Sequence, residues 1–210
     1  MSHKTQASQY AKKMQHIIAE ITQLYEIYGK TLKNEKRTYI EHAIISAAVA
    51  ESSHLAETFV IAALLHDIGH LILIGQGEAD DNVTAQSIGA RWLHDRGWPD
   101  LLTDTIENYL QAARYIVFFD EHFLSLKAIP MTESEARQFE QDPNFNHYVD
   151  LVLTDYLASR SNFTVDRIPD LWNNYAKKML QYLTLFYEKR HTHTLFKTPL
   201  SPIAEVNESK

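Results

Sequence analysis

The stretch "AALLHDIGHLI", Ala62 to Ile72, decides how this chain is read. An apolar run suited to a buried helix ends on a histidine and an aspartate side by side. Acidic side chains are almost never fully buried without a partner, and an isolated carboxylate in apolar surroundings is strongly disfavoured. Something cationic is therefore expected against His66 and Asp67.

Outward from that run, the apolar positions recur at helical spacing nearly everywhere, and no stretch alternates in the manner of a sheet strand. The chain reads as all-α. A first amphipathic helix is predicted from about Ser8 to Tyr28, then the polar connection "GKTLKNEKR" (Gly29–Arg37), then a second helix from about Thr38 to Glu51. Ser52 and Ser53 mark a break before a third helix, from about Leu55 to Asp67 and ending near Gly69. After the loop "GQGEADDN" (Gly75–Asn82), Asn82 or Thr84 is expected to cap a helix running to about Arg96. Pro99 then suits the first turn of another, to about Phe118. "TESE" (Thr132–Glu135) has the capping-box pattern. Helices from about Phe145 to Ser159 and Pro169 to His191 complete the set.

With 210 residues, 45% of them hydrophobic, there is material for one core. One domain is expected over residues 1–191, with a polar tail over 192–210. Lys and Arg number 20 against 27 Asp and Glu, a formal charge of −7, and no basic stripe interleaves with aromatics. Nucleic acid is thus not an expected partner. The absence of cysteine, of a signal-peptide pattern and of an apolar segment suited to a bilayer leads us to expect a cytoplasmic protein without a membrane partner; its oligomeric state is left open. Any metal must be held by His, Asp and Glu, and eleven histidines are available.

Three apolar runs carry such side chains: "TYIEHAIISAAVA" with His42, "AALLHDIGH" with His66 and Asp67, and "DLVLTDYLA" with Asp155. Adjacent residues on a helix point about 100° apart, so a His-Asp pair serves one ion best where a helix ends. Each residue also has a simpler reading. His42 alone is compatible with a hydrogen-bonded core histidine, and Asp155 with half of an ion pair to Arg114 or Arg160. Asp150 sits nearer a polar face. The order of the residues adds information that the single residues lack: a His, a His-Asp pair twenty-four residues on, and an Asp far downstream.

That order resembles the HD superfamily, all-α metalloproteins in which H…HD…D holds a divalent metal and most members are phosphohydrolases. The resemblance implies His42, His66, Asp67 and Asp155 as metal ligands, with Asp67 able to bridge to a second metal. The blocks "LLHDIGH", "SIGARWLHDRGW", "QAARYI" and "MTESEARQFEQDPNF" narrow it to the HD-domain mixed-valence diiron oxygenases, the 2-amino-1-hydroxyethylphosphonate dioxygenase-like group. Iron is then the implied metal, with manganese or magnesium as alternatives, and a small molecule the implied substrate.

Several positions depart from that group. No histidine lies between His70 and His94, Tyr109 stands where a second family histidine would, Ala113 replaces a lysine and Val152 an arginine. The ligands of a second metal are accordingly missing, and with them the usual anion clamps. Glu35, seven residues before His42, fits a family glutamate beside the oxygen-binding iron, and Tyr28 is a candidate for a family tyrosine there. Catalytic candidates are His70 and Glu35; substrate-contacting candidates are Tyr109 and Arg114. Ala113, Val152 and Tyr109 are expected to give a more apolar pocket, for a substrate less anionic than an aminophosphonate. Three readings remain: an oxygenase-like enzyme with an altered site, a mononuclear phosphohydrolase, and a non-catalytic descendant. His94 is expected to be solvated or to cap a helix, and the histidines of "RHTH" (Arg190–His193) to lie at a fraying end.

Overall fold

The computed structural model describes residues 3–77, 83–126 and 128–195, and for 3–8, 124–125 and 191–195 the backbone alone. Among these residues the fold is all-α apart from one small hairpin. The helices are α1 (His3–Tyr28), α2 (Tyr39–Ser52), α3 (Glu57–Leu65), α4 (Ile68–Gln76), α5 (Ala85–Asp95), α6 (Asp100–Glu107), α7 (Tyr109–Phe119), α8 (Glu133–Phe139), α9 (Phe145–Arg160) and α10 (Ile168–Leu195). A 3-10 turn, Glu121–Leu126, follows α7. Strands β1 (Leu32–Asn34) and β2 (Arg37–Thr38) pair antiparallel between α1 and α2.

The local chemistry accounts for most boundaries. Thr38 caps α2 with a full capping box: its hydroxyl accepts from the Glu41 N–H at 3.4 Å, and Glu41 accepts from the Thr38 N–H at 2.8 Å. Thr132 and Glu135 do the same for α8, as the "TESE" pattern predicts. Thr84 caps α5 through the Ser87 N–H, while the other candidate, Asn82, lies outside the described residues, as does most of the loop 75–82. The last helix runs on to Leu195, past the expected end at His191; the remainder of the tail is outside the described residues.

The helix expected to end near Gly69 instead breaks earlier and resumes. α3 stops at Leu65, His66 and Asp67 form the break, and α4 starts at Ile68 with the His70 N–H on the Asp67 carbonyl at 2.9 Å. Gly69 lies inside α4, where it has a different job. A Cβ there would fall 1.7 Å from the Ala85 carbonyl oxygen and 2.8 Å from the Gly89 nitrogen, so two glycines let α4 and α5 cross at backbone contact. A second break divides the helix expected from Pro99 to Phe118, at Asn108.

Residues 57–76 are, against expectation, long and apolar enough to span a bilayer by length and composition. In the fold that composition serves the core. Phe59 through Leu65 are all buried, and Ile68, Leu71 and Ile72 continue the same interior. Around this central pair, α1 and α10 pack through Met14, Ile17, Ile21 and Tyr25 against Trp172, Tyr175, Met179 and Leu183. These positions repeat every three or four residues on both helices, as a buried stripe requires. The Tyr25 and Trp172 rings lie 4.3 Å apart, and each large apolar side chain so buried is worth about 1.5–3 kcal/mol. α9 completes the arrangement by contacting α2, α3, α6 and α7. A smaller cluster between α7 and α9 holds Ala112, Ala113, Ile116, Tyr148 and Val152.

Candidate metal centre

Four elements converge on one buried point. The capped first turn of α2 presents His42, the α3–α4 break presents His66 and Asp67, α9 presents Asp155, and the start of α7 presents Tyr109. All four predicted ligand residues are buried. Donor atoms of His42, His66 and Asp67 lie within 4.8 Å of one another. Asp155 Oδ1 is 2.7 Å from His42 Nε2 and 3.5 Å from His66 Nε2, and Asp67 Oδ2 is 3.4 Å from His66 Nε2.

His66 shows how the set fits a metal ion. Its Nδ1–H donates to the Ala63 carbonyl at 2.7 Å, which leaves the lone pair on Nε2. That Nε2 is buried and has no hydrogen-bond partner among the described residues, although two carboxylates and a second imidazole surround it. An imidazole whose far nitrogen is pinned by a carbonyl while the near one points bare into a carboxylate cluster is arranged as metal-ligating histidines are. Two carboxylates and two imidazoles also form a donor set suited to iron, manganese or zinc.

The expected cation against Asp67 is Lys33, a residue that the sequence analysis passed over. It sits on β1 with its side chain 19% exposed, donates to Asp67 Oδ2 and stands 3.9 Å from Asp155 Oδ1. The hairpin is held in place by Arg37, whose buried guanidinium donates to the Ala158 and Ser161 carbonyls at the end of α9, to Ser161 Oγ at 3.1 Å and to the Phe163 carbonyl at 3.3 Å. Asn34 Oδ1 accepts from the N–H groups of Lys36 and Arg37 and shapes the turn. The helix that carries Asp155 and the strand that carries Lys33 are thus fastened together. The polar connection Gly29–Arg37 gave little sign of this, because strands of three and two residues are too short for a periodic signal.

The electrostatics follow from this crowding. Burial resists ionisation of Asp67, but His66, Lys33 and His42 outweigh it and hold the carboxyl far below its ordinary value. Asp155 behaves alike, burial being overcome by the hydrogen bond from His42 and by the nearness of His66 and Lys33. Burial also opposes the charge on Lys33, yet Asp67 and Asp155 raise its pKa. Burial, with Asp155 alongside, drives the Tyr109 hydroxyl well above its usual range. Tyr109 is therefore a hydrogen-bond donor, which it is to Asp155 Oδ2, rather than a phenolate.

The remaining candidates fall at different distances from the centre. His70 is at its edge, 38% exposed, with Nε2 3.8 Å from Asp67 Oδ1 and its ring stacked on Tyr39. Glu35 is exposed in the hairpin turn, two residues past Lys33, and is not brought into the cluster. Arg114 is turned to a structural task, donating to Glu135 at 2.8 Å, the Ile129 carbonyl at 3.1 Å and Gln111 at 3.0 Å. Arg160 lies over the Tyr156 ring, so the ion pairs considered for Asp155 with these two arginines give way to Lys33 and His42. Tyr28 packs across Gly75 of α4. Ala113 and Val152 correct the expected apolar pocket: 2% and 0% exposed, they fill the packed α7–α9 cluster. His94 is exposed, 3.7 Å from Asp95 and 4.0 Å from Asp100; the side chains of His191 and His193 are outside the described residues.

No family model matches the chain. It is 29% identical over 153 residues to the 1-hydroxy-2-(trimethylamino)ethylphosphonate dioxygenase (glycine-betaine-forming) of Leisingera caerulea, covering 66% of this chain and 76% of that protein. It is 28% identical over 145 residues to the hydroxymethylphosphonate dioxygenase of Gimesia maris, covering 60% and 71%. An uncharacterized protein of Acanthamoeba polyphaga mimivirus is 28% identical over 205 residues, 87% of this chain and 90% of its own length. The chain is therefore a distant homologue of proteins named as phosphonate dioxygenases.

Proposed function

We propose that this chain is a metal-dependent enzyme of the HD superfamily, oxygenase-like in its chemistry, with one divalent ion, iron, held by His42, His66, Asp67 and Asp155. The observation that carries the reading is the bare Nε2 of His66 among two carboxylates and a second imidazole. The distant relatives that act as dioxygenases on phosphonates support the oxygenase class. Bound iron would supply oxygen chemistry; the protein's own residues orient and shield it. Ala63 fixes the His66 tautomer. Tyr109 donates to the outer oxygen of Asp155, leaving Oδ1 toward the histidines. His70, half exposed at the rim, is placed to offer a hydrogen bond to a small substrate at the mouth of the site. With Arg114 engaged by Glu135, Lys33 by Asp67, and Ala113 and Val152 in the core, the substrate is a small molecule gripped with little free positive charge.

Phosphate-ester hydrolysis by the same single ion is the second reading, since two imidazoles and two carboxylates suffice to hold one ion that acidifies water. Oxygen uptake by iron-loaded protein across short hydroxyalkyl and phosphonate compounds, lost in Asp155→Ala, supports the oxygenase. Chelator-sensitive cleavage of a generic phosphomonoester without oxygen uptake would replace it with the hydrolase.

A further inference from the structure

Lys33 is partnered in a way that a bystander lysine is not. Its ammonium donates to Asp67 Oδ2, the carboxylate oxygen that also lies 3.4 Å from His66 Nε2 and 3.8 Å from His42 Nε2. It is 3.9 Å from Asp155 Oδ1, the oxygen that faces the same two imidazoles. Ammonium and metal therefore draw on the same two oxygen atoms. Lys33 is also held there, because Arg37 pins the hairpin to the end of α9 and the Asn34 side chain closes its turn. A side chain on a free loop could swing away; this one is delivered by a strand fastened to the helix that bears Asp155.

We infer that Lys33 is a built-in competitor for the metal: its ammonium balances Asp67 and Asp155 in the metal-free protein, weakens the binding of the divalent ion and excludes a second one. The inference rests on the proposed metal site. Two carboxylates provide two negative charges, one divalent ion satisfies both, and a lysine held beside them repels any ion that enters. The opposite role is chemically reasonable, since an outer partner can also strengthen a site by orienting its ligands. The two roles differ in sign, and a neutral side chain of similar length tells them apart.

The test is calorimetric titration of manganese(II) into metal-stripped wild type, Lys33→Met and Lys33→Arg, with melting curves of stripped and loaded forms. Competition predicts that Lys33→Met binds manganese about tenfold more tightly or better. It also predicts that stripped Lys33→Met melts below stripped wild type, because its carboxylates have lost their counter-cation, and that Lys33→Arg, which keeps the charge and guards against a folding artefact, binds no more tightly than wild type. Equal or weaker binding by Lys33→Met, with wild type still binding, overturns the role of Lys33 and leaves the metal site standing. Failure of all three proteins to bind manganese or iron(II) overturns both.

Discussion

The Nδ1–H of His66 donates to the carbonyl of Ala63 at 2.7 Å, one turn back in α3, and this bond determines which nitrogen faces the carboxylates. It arises from the helix break, since His66 closes α3 while Asp67 opens away from it. In long-range proton–nitrogen spectra, adding zinc(II) as a diamagnetic probe is expected to shift His66 Nε2 while Nδ1 keeps its proton. Loss of the Nδ1 proton on loading would show that the ring binds by the other face.

Arg37 joins the hairpin to the end of α9 through the carbonyls of Ala158, Ser161 and Phe163. Arg37→Ala is expected to cost about 3 kcal/mol in denaturant unfolding, from lost charge-assisted bonds and the acceptors left behind. Arg37→Lys should recover only part of it, because an ammonium cannot reproduce the fork. A full recovery would mean that charge alone is at work.

At Gly69 the neighbour is backbone, so a side chain there cannot be absorbed by a rotamer change. Gly69→Ala is expected to cost at least about 3 kcal/mol or to prevent folding. Gly77 offers the contrast: its φ is +73° and a Cβ added to it would meet nothing within 4 Å, so Gly77→Ala should cost about 1 kcal/mol, from backbone strain alone. Equal melting temperatures for the two variants would refute the close crossing of α4 and α5.

Glu135 has its pKa lowered to about 2 by the Thr132 backbone N–H, by Arg114 and by the Thr132 hydroxyl. A carboxyl depressed on folding contributes stability above its ordinary value near 4.5, and that contribution fades as pH falls toward about 2. Amide exchange in α8 should therefore quicken selectively on acidification, after correction for intrinsic rates, and Glu135→Gln should remove most of that pH dependence. An unchanged profile in the variant would show that other groups govern the segment.

The helices and the four polar residues that converge were legible because both are written in local apolar patterns: His42, His66, Asp67 and Asp155 each interrupt a run that must be buried. The need for a cation beside Asp67 was also legible as a charge-balance requirement. Its identity was not, since Lys33 lies 34 residues away on a strand too short to have a period. Arg114 misled for the same reason. Its partner Glu135 was visible as a helix cap, but nothing local shows that the cap and the arginine meet across the fold. Gly69 looked like a helix terminator because the sequence shows a glycine's freedom and hides the backbone of α5 that requires it.

The most direct test counts metal by plasma mass spectrometry in protein purified without a metal-affinity tag and loaded with iron(II) under anaerobic conditions, for wild type and His66→Ala side by side. Close to one metal ion per chain is expected in wild type and almost none in the variant. No metal in wild type, or the same content in both proteins, would contradict the proposed metal site.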